Sequence, residues 1–173
     1  MSGSMSAVDV LIKILNEMCI KGSTKGYIVG ETPVVCFQDT PLYGISQNIY
    51  HESVYRDELG SKVRYSPTGL SFNKLDIYRC GGRPCIYEQK DVAKKFLPPE
   101  EWWRIVNFNL NSNDNIVDWT HEREWRIKGD LVFPYYSATI ILSHNDEYRE
   151  FIGKINRDVL VQLAGVVVLS RAL

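Results

Sequence analysis

The feature that most constrains the fold is a pair of β-branched runs late in the chain, Ala138-Thr-Ile-Ile-Leu142 and Gly165-Val-Val-Val-Leu169. Both are short, bounded by turn residues and rich in side chains that suit a pleated surface. Between them, Asp146 to Ile155 carries Tyr148, Phe151, Ile152 and Ile155 at helical spacing, which predicts an amphipathic helix with those four side chains inward. The second run belongs to a closing strand expected over Val159–Leu169.

The rest of the chain follows the same alternation of short strands and helices. Val8, Leu11, Ile12, Leu15 and Met18 predict a first helix over Ala7–Met18, ended at Lys21-Gly22-Ser23 with the glycine as cap. Thr32 to Phe37 reads as a buried strand, and Pro41 to Tyr50 as a helix capped by Thr40. His51 to Lys62 is polar and reads as a loop or mobile helix. Glu100 to Phe108 fits a helix with Trp102, Ile105 and Val106 inward, or a strand beginning near Arg104. Gly129-Asp130 suggests a turn or a bulge between two strand pieces. The sum is a compact α+β domain, a mixed and mostly antiparallel sheet with flanking helices.

A chain of 173 residues is long enough for one domain with a real core. Met1 to Ser4 reads as an expression scar and residues 5–173 as a single domain. No apolar run reaches the roughly 18 residues that span a bilayer, and the N-terminus has no basic-then-apolar leader pattern. The expected setting is therefore cytoplasmic, with no membrane partner. The net charge of −1 excludes a global field that would draw the chain onto nucleic acid. The four cysteines fit neither a zinc ribbon nor a secreted disulfide framework. Cys19 and Cys36 read as small core residues. Cys80 and Cys85 flank a Gly-Gly-Arg-Pro turn and are free thiols, a disulfide or half of a metal site; no metal site is predicted.

The chemistry concentrates in Asp118-Trp-Thr-His-Glu-Arg-Glu-Trp-Arg126. If a strand starts here, alternation sets Glu122, Glu124 and Arg126 on one face and Arg123 and Trp125 on the other. Paired carboxylates beside an arginine divide acid, base and orienting roles, and flanking Trp119 and Trp125 would bury them. The plainer alternative is a solvated strand face with cross-strand ion pairs. His121 adds a ligand-binding candidate. Tyr65-Ser66-Pro67-Thr68-Gly69 offers hydroxyls beside a kinked strand, with a sheet-curving bulge as its alternative. Arg83 sits on a glycine turn suited to a phosphate or carboxylate, and Asp39 lies in the turn before Pro41.

Read together, Val35-Cys-Phe-Gln-Asp-Thr-Pro41, Tyr65-Ser-Pro-Thr-Gly-Leu-Ser-Phe-Asn-Lys74, Gly81-Gly-Arg-Pro-Cys-Ile-Tyr87 and Asp118–Arg126 resemble a bacterial family near the abortive-infection phage-resistance proteins of the AbiG type. More distantly, Glu122-Arg-Glu124 before Trp125-Arg-Ile127, with the earlier Ser66 and Thr68, resembles mono-ADP-ribosyltransferases of the Arg-Ser-Glu class. That resemblance implies an ADP-ribosyltransferase-like fold with NAD as substrate and a protein or nucleic-acid acceptor. Glu124 would be the catalytic glutamate and Glu122 would orient the acceptor. The setting implied is phage defence or a toxin system. The competing expectation is a non-catalytic protein on a degenerate transferase scaffold, binding a nucleotide or acting as the antitoxin or immunity partner of a cognate toxin.

Overall fold

The computed structural model describes residues 5–55, 67–111 and 116–172. In chain order its helices and strands are α1 (Ala7–Glu17), β1 (Cys19–Ile20), β2 (Val34–Gln38), α2 (Leu42–Val54), β3 (Gly69–Phe72), α3 (Lys74–Arg79), β4 (Arg83–Pro84), β5 (Ile86–Glu88), α4 (Lys90–Phe96), β6 (Ile105–Asn107), β7 (Glu124–Lys128), β8 (Leu131–Val132), β9 (Ala138–Leu142), α5 (Asn145–Lys154), α6 (Arg157–Leu160), β10 (Gly165–Val168) and α7 (Leu169–Ala172). The fold class is α+β, as expected. The chain divides into two compact units, one of residues 1–18, 40–73 and 133–173, the other of residues 19–39 and 74–132.

The first unit is built on the β-branched runs. β9 is the middle strand of the order β10-β9-β3, antiparallel to β3 and parallel to β10. A middle strand must satisfy both edges and bury its side chains, which the Ala-Thr-Ile-Ile-Leu sequence permits: Ala138, Ile140 and Leu142 are fully buried. Parallel pairing of β9 with β10 requires a crossover, and α5 and α6 supply it. The expected strand over Val159–Leu169 is thus shorter at its start, because Asn156 caps α6 with a side-chain bond to Asp158. In α5 only Phe151 is buried, with Ile155 just beyond it, while Tyr148 and Ile152 are 40% and 36% exposed, so the apolar stripe is narrower than the spacing suggested.

α1 begins with a capping box in which Ser6 Oγ accepts from Asp9 N at 3.0 Å and Asp9 accepts from Ser6 N at 3.3 Å. Val8, Leu11 and Leu15 form its buried stripe. Lys154 of α5 pairs with Asp9, and Glu150 accepts from Ser6, so charged groups tie the two helices beside their apolar contact. The helix stops at Met18, whose left-handed φ of 49° makes the cap expected of Gly22. α2 starts at Leu42, with Pro41 rather than Thr40 in the cap position, and runs on through His51 to Val54. The loop expected over His51–Lys62 lies otherwise mostly outside the described residues.

The second unit holds the antiparallel order β2-β7-β4, the parallel pair β5-β6 and the antiparallel pair β1-β8. Gly129, at φ 71°, turns β7 into β8 as expected. Gly22 serves this turn: a Cβ there would lie 2.3 Å from the Gly129 carbonyl oxygen. Asp130 then accepts from Gly22 N and from Lys21 Nζ, both at 2.9 Å. Residues 99–104 form a 3-10 turn rather than an α-helix, and Trp103, not Trp102, is the buried tryptophan before β6. Val29, Ala93 and Ile105 form an apolar cluster against which Leu97 and Trp102 pack.

Candidate functional site

β7 is the middle strand of its sheet, so the side chains at its start are set by neighbours on both edges. Val34 to Gln38 of β2 pairs with Lys128 to Glu124, and Arg83 and Pro84 of β4 pair with Arg126 and Trp125. The strand begins at Glu124 because Arg123 before it takes a left-handed φ of 47°. Thr120 to Glu122 forms a 3-10 turn, stabilised where Asp118 accepts from Thr120 N at 2.9 Å and Thr120 Oγ1 at 2.6 Å. The reading that put Glu122 on one strand face with Glu124 and Arg126 is corrected here, since alternation starts only after the left-handed residue. Glu124 and Arg126 do share a face.

That pair is buried. Arg126 is 2% exposed and Glu124 9%. Arg126 Nε donates to Glu124 Oε1 at 2.8 Å and Nη2 to Oε2 at 3.1 Å, a bidentate fork. Arg126 Nη1 donates to the carbonyls of Trp103 at 2.6 Å and Ile105 at 3.1 Å. The backbone of Glu124 is held as well: its N–H donates to Tyr87 Oη at 2.6 Å and its carbonyl accepts from Cys85 N at 2.8 Å. Every terminal atom of both side chains therefore has a partner, within β7 or on the segment from Trp103 to Ile105. Burial works against the Arg126 charge, yet its bonds to Glu124 prevail and raise its pKa. Glu124 is the counter-ion of Arg126. Glu124, the expected catalytic group, and Arg126, an expected ligand-binding group, are thus engaged with each other in this structure.

Two thiols border the pair. Cys36 lies opposite Arg126 in the register, and Cys85 follows β4 beside Glu124. Burial first, then the Glu124 charge, pushes the Cys36 thiol up to about 12. Burial also raises Cys85. Both stay protonated at neutral pH, the opposite of an activated nucleophile. Cys19 is buried as expected, whereas Cys36 is exposed, which corrects its reading as a core residue. All four cysteines are free, Cys80 and Cys85 included, and no metal-holding group of His, Cys, Asp or Glu occurs among the described residues.

The other candidates fall in separate places. Arg83 stacks on Tyr78, 4.2 Å from the ring centre, and donates to the carbonyls of Tyr78 and Gly82. It is folded back onto its own turn, which Gly82 allows by packing where a Cβ would meet Ile77 at 2.6 Å. Thr68 belongs to the first unit, where its hydroxyl donates to Glu147, which also accepts from Ser143 N at 3.0 Å. Tyr65 and Ser66 lie outside the described residues.

Asp39, by contrast, joins the central stretch. It accepts from Lys74 Nζ at 2.5 Å and from Arg123 Nη2 at 3.2 Å, and its N–H donates to the Arg123 carbonyl. Lys74 Nζ also sits 4.8 Å from the centre of the Trp125 ring, so Trp125 is an anchor on the far side of β7 from Glu124. Trp119 packs in a row of rings. Its ring lies 6.1 Å from Tyr27 and 6.0 Å from the exposed His121. Tyr27, Lys74 and Tyr87 were not singled out from the sequence. Lys74 ends one of the family-like motifs; Tyr27, between Lys25-Gly26 and Ile28, carried no local signal.

Among the described residues no helix is long and apolar enough to cross a membrane. Set against known proteins, the chain matches no family model, no curated protein and no solved structure.

Proposed function

We propose that this chain is a non-catalytic nucleotide-binding protein on a transferase-like scaffold, acting in the phage-defence or toxin–antitoxin setting that its sequence resemblance implies. One observation carries this reading: both oxygens of Glu124 are held by Arg126 inside the sheet. A catalytic glutamate must reach a ribose or a developing cation. Here that reach would break a buried bidentate pair, leaving a charge uncompensated at a cost of about 3–5 kcal/mol.

A second reading, NAD-dependent mono-ADP-ribosyl transfer to a protein or nucleic acid, keeps one supporting observation. Glu122 stands in a turn and Glu124 opens the strand that follows, the loop-to-strand order of that motif. It requires Arg126 to release Glu124 when substrate binds.

The test is incubation of the full chain with labelled NAD, proteins and nucleic acids, beside thermal unfolding with NAD and ADP. The expected result is a raised unfolding temperature with no nicotinamide release and no labelled product. A ligand at 100 times its Kd adds about 2.7 kcal/mol to stability, which such a scan resolves. Nicotinamide release that Glu124→Gln abolishes would establish the transferase reading instead.

A further inference from the structure

The unit of residues 19–39 and 74–132 carries two groups of side chains around the Asp118–Arg126 stretch that the buried pair does not engage. The first is a row of rings. Trp119 is flanked by Tyr27 at 6.1 Å, tilted by 31°, and by His121 at 6.0 Å, tilted by 39°. Tyr27 is 77% exposed, so most of its ring meets water. A flat heteroaromatic ring gains by covering such a surface, and stacking of this kind tolerates any base because every base has a π-face.

The second group is a shared carboxylate. Asp39 accepts from both Lys74 and Arg123, so among these three side chains one positive charge is in excess. The two cations are 53% and 60% exposed, whereas Asp39 is 26% exposed. Arg123 directs Nη2 to Asp39, and a guanidinium has further N–H groups suited to a phosphate fork. A single 3-10 turn, Thr120–Glu122, separates Trp119 from Arg123. Two acids adjoin the rings in sequence: Asp118 is bent back onto Thr120, whose hydroxyl and backbone hold its pKa down, and Glu122 ends the 3-10 turn before Arg123.

We propose that these groups form a nucleotide cradle, with the base stacked on the Tyr27–Trp119–His121 row and the phosphates paired with Arg123 and Lys74. The proposal rests on the nucleotide-binding reading above and gives that reading a place on the molecule. It needs no movement of the Glu124–Arg126 pair.

Calorimetric titration of the full chain with ADP and, separately, with adenosine tests it. ADP is expected to bind more tightly than adenosine, and its affinity to fall with added salt. Tyr27→Ala is expected to weaken both ligands by about tenfold, the loss of one stacking contact. Arg123→Gln is expected to weaken ADP by about tenfold and leave adenosine unchanged. Lys74→Gln gives the same discrimination if the Arg123 variant does not fold. ADP bound with wild-type affinity by Tyr27→Ala and by both cation variants would overturn the cradle while leaving nucleotide binding intact. Adenosine bound as tightly as ADP would overturn the phosphate half. Binding of neither ligand would overturn the nucleotide-binding reading and the cradle with it.

Discussion

The two sides of Glu124 handle charge in opposite ways. Toward the strand, Glu124 and Arg126 are almost fully buried and meet through a bidentate fork. Toward the turn, Arg123 meets Asp39 through one nitrogen, on a side chain that is 60% exposed. Each is an arginine–carboxylate pair, and Arg123 adjoins Glu124 in sequence. Burial separates their energetics. An exposed pair gains little because water competes for both partners and salt screens them. A buried pair gains little over an apolar replacement, but is expensive to leave half-made. The sealed side holds β7 in place, and the open side keeps its charge and ring surface in solvent.

Removing one partner from the sealed side should have the largest effect. Arg126→Met leaves Glu124 buried without its cation and strips a donor from the carbonyls of Trp103 and Ile105. Urea unfolding is expected to show a loss of about 3–5 kcal/mol. A loss near zero would mean that water reaches Glu124 and that the two sides do not differ.

An intermediate case sharpens the contrast. Glu147, in the other unit, accepts from the Thr68 hydroxyl and from Ser143 N. Burial opposes its charge, but those bonds prevail and hold its pKa below the usual carboxylate value. A carboxyl with a depressed folded-state pKa adds stability above its unfolded pKa of about 4.3, and that stability is lost as pH falls through the folded value. Glu147→Gln is expected to flatten the acid limb of the stability curve below about pH 4. Near neutral pH, Thr68→Val should cost about 1.5–3 kcal/mol, the range for hydrogen bonds to charged groups.

The open side should barely register in stability. Asp39→Asn is expected to change unfolding free energy by less than about 1 kcal/mol, with the difference vanishing in high salt. A loss as large as that of Arg126→Met would break the comparison. Thiol labelling probes the same boundary without any substitution. With iodoacetamide near pH 8, Cys80 should react before Cys85, which is less exposed, and before Cys36, which is exposed like Cys80 but whose thiol is held protonated. Equal rates in the native protein would place solvent against Glu124; equal rates only in urea are expected.

Much of the fold was legible in the sequence where local chemistry and burial agree. The Ala138–Leu142 run, the helix after it, the first helix and the Gly129 turn all carry a period or a turn residue that survives in the structure. What could not be read depends on backbone choices that sequence spacing does not report. Met18 takes the left-handed cap that a glycine usually fills, while Gly22 lies beyond β1, where the Gly129 carbonyl comes close. Arg123 takes another left-handed position, and that single residue removes Glu122 from the strand face. A local pairing of Glu124 with Arg126 follows from alternation. Its depth does not, because the carbonyls that complete it come from Trp103 and Ile105, far away in sequence. The aromatic row was hidden likewise, since Tyr27 and Trp119 meet only once β2 and β7 have paired.

The central claim is that Glu124 is the structural counter-ion of Arg126. A double-mutant cycle in urea unfolding, with Glu124→Gln, Arg126→Met and the combined variant, measures that coupling directly. A coupling of at least about 1.5 kcal/mol is predicted, with the double variant more stable than the sum of the single losses implies. Additivity within about 0.5 kcal/mol would contradict it, because a glutamate indifferent to Arg126 is free for other work.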